Sequence, residues 1–458
     1  MALADSTSGI DQSANTGRLS LAEKLSYGFG DLGFSLPYNM ASAFLLYYYV
    51  TVERLPAAAI GTIFLLARLL DAVIDGLVGV AVDRTRSRWG RTRPYFLFMA
   101  LPYALVFVAV FAVPDWSVNG RLAYAFLTFK GLGILMSLGS IPYTALMPMI
   151  TAQSAERLKL SGMRSIGTSV SVVLGTGATM PLVGLFGSGD ERRGFLGVAI
   201  LFGVITMIAI TMLFRNCRER IFETADRPAA ILPVIRQMFR NRAWLVAFAF
   251  CLIYFIRFGA MMATTPYFAI DVLRRPWMIS IMLPALAGML LLSSFFAPSL
   301  FARFGIRKGC VIVLTTAMVL FAMLPLFEDH PSLFLAVYLA ASLATSVTIT
   351  AAFTMIAATV DWHEWIFGSR NEGILSAGVS LATKVGMAIG TAGVAFLLAW
   401  LGYDAAAVSE LTRQTIRWFY YGGTVFLIGM QVLIALFWPM DGMDERIRDE
   451  IQQHGRTS

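Results

Sequence analysis

Apolar runs broken by Arg clusters, Pro and Gly recur along the whole chain. They lie at about 30–52, 56–83, 94–113, 122–150, 161–187, 195–214, 243–270, 277–300, 309–327, 332–360, 373–401 and 417–438. A helix needs roughly 20 apolar residues to cross a bilayer, so the pattern predicts twelve membrane spans. Composition agrees: 57% of residues are hydrophobic and only 14% charged, against about 45–50% and about 25% in soluble domains. The 39 Gly follow no collagen-like period, and Cys217, Cys251 and Cys310 have no paired spacing. Neither a disulfide framework nor a metal site is therefore expected. The polar N-terminal stretch lacks the apolar core of a cleavable signal, so insertion is expected to be directed by the spans themselves.

The net charge of +8 is informative through its distribution. If the tails and the even-numbered loops share one side, that side holds 23 of the 36 Lys and Arg and the opposite loops hold 8. Positive residues accumulate on the cytoplasmic side of membrane proteins, so both termini are expected there. The basic charge is then a topology signal, and no nucleic-acid partner is expected. Residues 1–27 form a tail, 28–214 a six-span bundle, 215–242 a basic connector, 243–438 a second six-span bundle and 439–458 a second tail. The halves echo one another, with DRTRSRWGRTRP after span 2 and ARFGIRKG after span 8. Two six-span repeats joined by a cytoplasmic connector predict an all-α polytopic protein of the major facilitator fold, with its ligand near the midplane between the halves.

A charge at bilayer depth costs at least about 2.5–3.5 kcal/mol, so each intramembrane ion is a functional candidate. The acids are Asp31, Asp71 and Asp75; the cations are Arg68, Lys130, Arg164, Arg257 and Lys384. Asp71 and Asp75 are spaced i,i+4 on one helical face, with Arg68 one turn before Asp71. Two such carboxylates can ligate Na⁺, or one of them can hold a proton, and a structural Arg68–Asp71 pair would still leave Asp75 over.

The segments KLSYGFGDLGF, LLARLLDAVIDGLVG, DRTRSRWGRTRPY, SIPYTALMP and DWHEWIFGSRNEG resemble the glycoside–pentoside–hexuronide:cation symporters, in the same order over nearly all of the chain. The resemblance implies secondary active transport of a sugar, glycoside or hexuronide, with no cofactor beyond a coupling H⁺ or Na⁺. It implies that Asp71, Asp75 and Ser137 serve the cation, that Lys384 stands near both sugar and cation, and that Arg164 matches the melibiose carrier's arginine on span 5. The departures from the family's melibiose carriers are Phe34-Ser35 for a Lys-Asp pair, Ser140 and Thr144 for an Asp and a Trp, Ser380 for a Thr, and Ile74 for an Asn between the aspartates. Ile74 removes one oxygen ligand, which favours H⁺ over Na⁺. The loop PDWSVNG is similar to that of the glucuronide carriers.

Ser35, Asn39, Ser140, Thr144, Arg164, Arg257, Ser380 and Lys384 are expected to bind substrate. Five intramembrane cations against three acids favour an anionic, uronide-type ligand, Arg being suited to a carboxylate. Asp83, Arg84, Arg88, Asp361, Glu364 and Arg370 are expected to form gating pairs on the cytoplasmic side. Tyr254, Thr264, Thr265 and Tyr267 on span 7 suit either sugar hydroxyls or helix contacts. Gly28, Gly30 and Gly33 match a dinucleotide GxGxxG, but no strand precedes them, so they are expected to be packing residues. Gly386 and Gly390 form a small-xxx-small pair for close packing. An intramembrane enzyme is disfavoured, because His330, His363 and His454 lack metal spacing and no GxSxG occurs. A carrier of lysolipids would favour an apolar cavity, whereas the hydroxyls here suit sugars. The protein is expected to be a monomer in a bacterial-type inner membrane, with lipid and a small solute as its partners.

Overall fold

The computed structural model describes residues 19–151, 153–220, 236–368 and 372–440, and every regular element among them is helical. The first four spans are α1 (Leu21–Tyr47), α2 (Ala57–Arg84), α3 (Arg93–Val110) and α4 (Val118–Ile150). The fifth is α5 (Ser154–Val172) joined to α6 (Thr179–Gly187) by a π-helical segment, Val173–Ala178, and the sixth is α7 (Glu191–Asn216). The second half has α8 (Arg242–Tyr267), α9 (Ile279–Met323), α10 (Pro331–Phe367) and α11 (Glu372–Trp400). Its last span is α12 (Glu410–Trp418) joined to α13 (Thr424–Leu436) by the π-helical Phe419–Gly423. Spans eight and nine run together in α9 and are separated by Gly305 alone, at φ 75° and ψ 169°. That left-handed backbone favours glycine and turns the chain without a loop. Twelve spans result, and among the described residues nine helical stretches are long and apolar enough to cross a membrane.

The two halves repeat each other in backbone detail. Span 1 ends in a π-helical segment, Tyr48–Val52, and span 7 in another, Phe268–Val272. Glu53 N–H donates to Tyr48 O and Leu273 N–H to Phe268 O, both at 2.9 Å. Arg54 and Arg274 follow at φ 53° and 55°, a strained region for any residue with a side chain. The underlying sequences, YYYVTVERLP and YFAIDVLRRP, share Tyr, Val, Arg and Pro at matching positions.

Glycines let the helices of each half meet backbone to backbone. A Cβ on Gly28 would stand 2.6 Å from Met163 O, one on Gly30 2.9 Å from Leu213, and one on Gly33 3.1 Å from Ala209. The three glycines of the nucleotide-like pattern are therefore the face of α1 that fits α5 and α7. A Cβ on Gly167 would collide with Gly28 O. Gly167→Val is expected to lower stability by roughly 1–3 kcal/mol or more, as overpacking of a close seam does, read as earlier thermal inactivation in detergent. In the second half, a Cβ on Gly386 would lie 2.6 Å from Leu252 O and one on Gly390 would collide with Ile256 O. α11 is thus locked onto α8.

The halves touch at one face and part at the other. Away from the connector, Gly61 of α2 meets Ala392 and Ala395 of α11, and Gly177 meets Pro284 and Ser280 of α9. Tyr47, Tyr267 and Tyr403 stack edge to face across the same level, with centroids 5.8 and 5.2 Å apart. Towards the connector the same helices separate: nothing lies within 4 Å of a Cβ built on Gly76, Gly79, Gly162 or Gly288. The contacts between the halves thus lie at the level away from the connector, while these glycines nearer to it face open space. On the connector face Glu219, just after α7, accepts from Arg91 N, Thr92 N and Arg93 N at 2.8, 2.7 and 3.3 Å. Gly90 turns at φ 107° to let this carboxylate in, since a Cβ there would lie 2.5 Å from it. Cys217, Cys251 and Cys310 are buried and form no disulfide among the described residues.

Candidate functional site

Two separate clusters of charge line the mid-depth of the cavity. In the first, Asp71 Oδ1 accepts from Lys130 Nζ of α4 at 2.5 Å, and Arg68 Nη1 stands 3.8 Å from Oδ2. Lys130 also donates to Ala67 O at 3.2 Å, and its residue is only 8% exposed. Gly133 makes room for this pair, because a Cβ there would lie 2.8 Å from Asp71 Oδ1. Arg68 is held over the Tyr38 and Phe129 rings at 5.2 and 5.7 Å, a cation–π arrangement.

One turn along α2, Asp75 accepts from Ser137 Oγ at 2.5 Å and forms an ion pair with Lys384 of α11. This pair crosses from one half of the protein to the other. Tyr38 OH contacts Met387 Sδ at 2.9 Å, a further contact between the halves. The i,i+4 aspartates share a face as the spacing requires, yet each has its own cation.

The second cluster joins α1 to α5. Asp31 accepts from Arg164 Nε at 3.1 Å, from Thr168 Oγ1 at 2.5 Å and from Ser35 Oγ at 3.3 Å. Asn39 Nδ2 donates to Ser171 Oγ at 3.1 Å. Ser140 is half-buried and Thr144 is exposed, its hydroxyl donating to Ser140 O at 3.0 Å. Ser161, Ser165 and Ser169 continue the hydroxyl stripe of α5 at i,i+4 spacing, linked by hydroxyl-to-carbonyl bonds of 3.1 and 2.7 Å.

Three expectations need correction. Arg68 is not the main partner of Asp71; Lys130, on a different helix, is closer. Arg164 is matched by Asp31 and Lys384 by Asp75, so the excess of positive charge does not sit in the cavity. Arg257 does not reach the cavity: it is 1% exposed inside the second half, against Met261 and Tyr254. Of the span-7 residues, Thr264 and Thr265 donate to the carbonyls of Ala260 and Met261 at 2.7 Å, which is helix structure. Arg84 and Arg88 are exposed on the connector face, Arg88 lying 4.1 Å over Trp89, and Asp361 and Glu364 are half-buried on α10. Arg370 and the side chains of Asp83 and Ser380 lie outside the described residues.

The family model described as "MFS/sugar transport protein" matches residues 26–441. The chain belongs to that family. This MFS sugar transporter is 32% identical over 402 residues to the inner membrane symporter YicJ of Escherichia coli (strain K12), covering 86% of this chain and 85% of the relative. It is 29% identical over 441 residues to the isoprimeverose transporter of Lactiplantibacillus pentosus, covering 94% and 91%. The crystal structure of the nucleoside transporter NupG superposes with a TM-score of 0.65 at 13% identity, over 91% of this chain and 99% of that one, a likeness of fold. The family consists of transporters, so the ion pairs at mid-depth belong to a carrier and not to an enzyme.

The donor set also bears on the coupling ion. A Na⁺ site needs several oxygens free to converge, as hard cations take oxygen ligands. Here Lys130 occupies Asp71, and Lys384 with Ser137 occupies Asp75. Ile74 adds no oxygen between them. The residues do not fit a ready-made Na⁺ site, whereas a single carboxylate suffices for a proton.

Proposed function

We propose that the protein is a proton-coupled symporter that carries a glycoside into the cell across a bacterial-type inner membrane. Both tails and the connector lie in the cytoplasm. The observation that carries this reading is the Asp75–Lys384 ion pair between the halves, with Ser137 as its third member. A proton arriving at Asp75 discharges the carboxylate and releases Lys384. The freed ammonium then donates to substrate hydroxyls, with Ser35, Asn39, Ser140, Thr144 and the Asp31–Arg164 pair as further donors and acceptors. The proton opens the Asp75–Lys384 bridge and the substrate takes up the hydrogen bonds of the released ammonium, which links their movement. Asp83, Arg84, Arg88, Asp361, Glu364 and Arg370 close the cytoplasmic side when the halves rock. The protein works as a monomer.

A neutral glycoside is favoured over a hexuronide, because Arg164 is already matched by the Asp31 carboxylate. The polar lining by hydroxyls speaks against a lysolipid. In proteoliposomes, an inward proton gradient is expected to drive uptake of a labelled xylose-containing disaccharide such as isoprimeverose, with Na⁺ having no effect. Uptake that needs Na⁺ and ignores the pH gradient would overturn the assignment of the ion. Neutral glycosides are expected to compete more strongly than their uronic-acid counterparts; preference for the uronides would restore the anionic reading.

A further inference from the structure

Of the five intramembrane cations, Arg257 alone has no carboxylate partner among the described residues. It lines a cavity of about 280 Å³ on the second half, between α8, α11 and the span formed by α12 and α13. Its walls include Thr264, Gly390, Gly393, Tyr420 and Phe426, and Arg257 is the only charged group in the lining. Phe426 is 65% exposed on the outer surface, so the cavity opens sideways into the bilayer rather than into the central cavity. In the first half, the corresponding spans five and six close on each other: a Cβ on Gly187 would lie 3.2 Å from Gly194 Cα, and one on Gly197 3.0 Å from Phe186. In the second half, Gly393 faces open space, with nothing within 4 Å of a Cβ built on it.

The polar groups around Arg257 do not neutralise it. Its Nη1 meets Met261 Sδ at 3.7 Å, its Cζ lies 5.1 Å from the Tyr254 ring centre, and its Nε has no partner among the described residues. Thr264 donates to Ala260 O and Tyr420 to Tyr338 OH, so both hydroxyls are engaged elsewhere. A desolvated guanidinium with no carboxylate is costly until an anion reaches it, and its fork matches a carboxylate.

Depth limits what that anion can be. The span from Arg242 to Val272 has 31 residues, about 46 Å of helix at about 1.5 Å per residue, and Arg257 is at its middle. A two-chain phospholipid is held by its headgroup at the interface, too far away to reach it. A single-chain acid crosses the bilayer in its protonated form, so its carboxyl can reach that depth.

We propose that this groove is a lateral binding site for a long-chain carboxylate drawn from the bilayer. The carboxylate sits on Arg257, and the chain lies between α11 and α13 towards Phe426. The chain leaves one apolar medium for another and gains little by moving. Selectivity therefore rests on the charge, and a neutral alcohol of equal length should gain nothing from the site.

The test uses the full-length protein in phosphatidylcholine nanodiscs with radiolabelled dodecanoate. Saturable binding of one dodecanoate per carrier is expected, uncompeted by dodecanol and undiminished when phosphatidylglycerol is added to the nanodisc. Arg257→Met and Gly393→Leu should each weaken binding at least tenfold, the first by removing the charge and the second by filling the groove. If Arg257→Met does not insert, Gly393→Leu decides, since its Arg257 is intact. Equal competition by dodecanol, displacement by phosphatidylglycerol, or wild-type binding by Gly393→Leu would each overturn the proposal. None of these readouts depends on transport, so they stand apart from the assignment of substrate and ion.

Discussion

Asp75→Asn is expected to abolish accumulation of substrate against a gradient while leaving exchange of labelled for unlabelled substrate intact. One proton moving through 100 mV supplies about 2.3 kcal/mol, roughly a fifty-fold concentration ratio. The variant should fall from such a ratio to unity. The reason is local: the amide that replaces the carboxylate can still accept from Ser137, but it carries no charge for Lys384 to pair with or to lose. The carrier can then rock with substrate alone. Measured in vesicles with an imposed potential, accumulation equal to wild type would remove Asp75 from the coupling step.

Lys130→Met is expected to cost about 3–5 kcal/mol of stability, the usual penalty for stranding a buried charge. Asp71 would keep only Arg68, at 3.8 Å, and would lose the 2.5 Å bond to the ammonium. Asp71→Asn should be damaging for the converse reason, leaving Lys130 uncompensated. The double variant Asp71→Asn/Lys130→Met should regain most of the loss, because the pair is removed together. A double-mutant cycle on thermal denaturation in detergent checks this, with a coupling of at least about 1 kcal/mol expected between touching residues. Simple additivity of the two single losses would mean that the pair does not hold the α2–α4 contact.

Those two experiments treat neighbouring aspartates differently, and here sequence reasoning met its limit. The twelve spans and their grouping into halves were legible because bilayer thickness imposes a length and a composition on every span. The packing role of Gly28, Gly30 and Gly33 followed from the lack of a preceding strand. Asp71 and Asp75 stood out because acids at depth are costly. Their partners could not be read in the same way. Spacing along one helix exposes Arg68 as a neighbour of Asp71, but Lys130 is 59 residues away and reaches it only through the register of α4 on α2. Asp31 was visible as an intramembrane acid, yet its match to Arg164 depends on the glycine-to-glycine approach of α1 and α5. Thr168 was missed although Ser161, Ser165 and Ser169 gave a signal, a run of hydroxyls at helical spacing on an otherwise apolar span. Arg257 was assigned to the cavity because nothing in a sequence says which side of a helix faces the centre of the molecule. Residues 301–308 were read as the connection between spans eight and nine, and the structure narrows that break in the helix to Gly305.

The seam of α11 on α8 has a mechanical consequence. At Gly386 and Gly390 the two helices meet through backbone atoms, with no side-chain layer between them to absorb displacement. Lys384 lies two residues before that seam, so its ammonium is a rigid arm of the second half. Asp75 belongs to the first half and is steadied there by Ser137. A tilt of one half against the other is therefore delivered undamped to a single ion pair, and the strength of that pair sets how stiffly the empty carrier resists rocking.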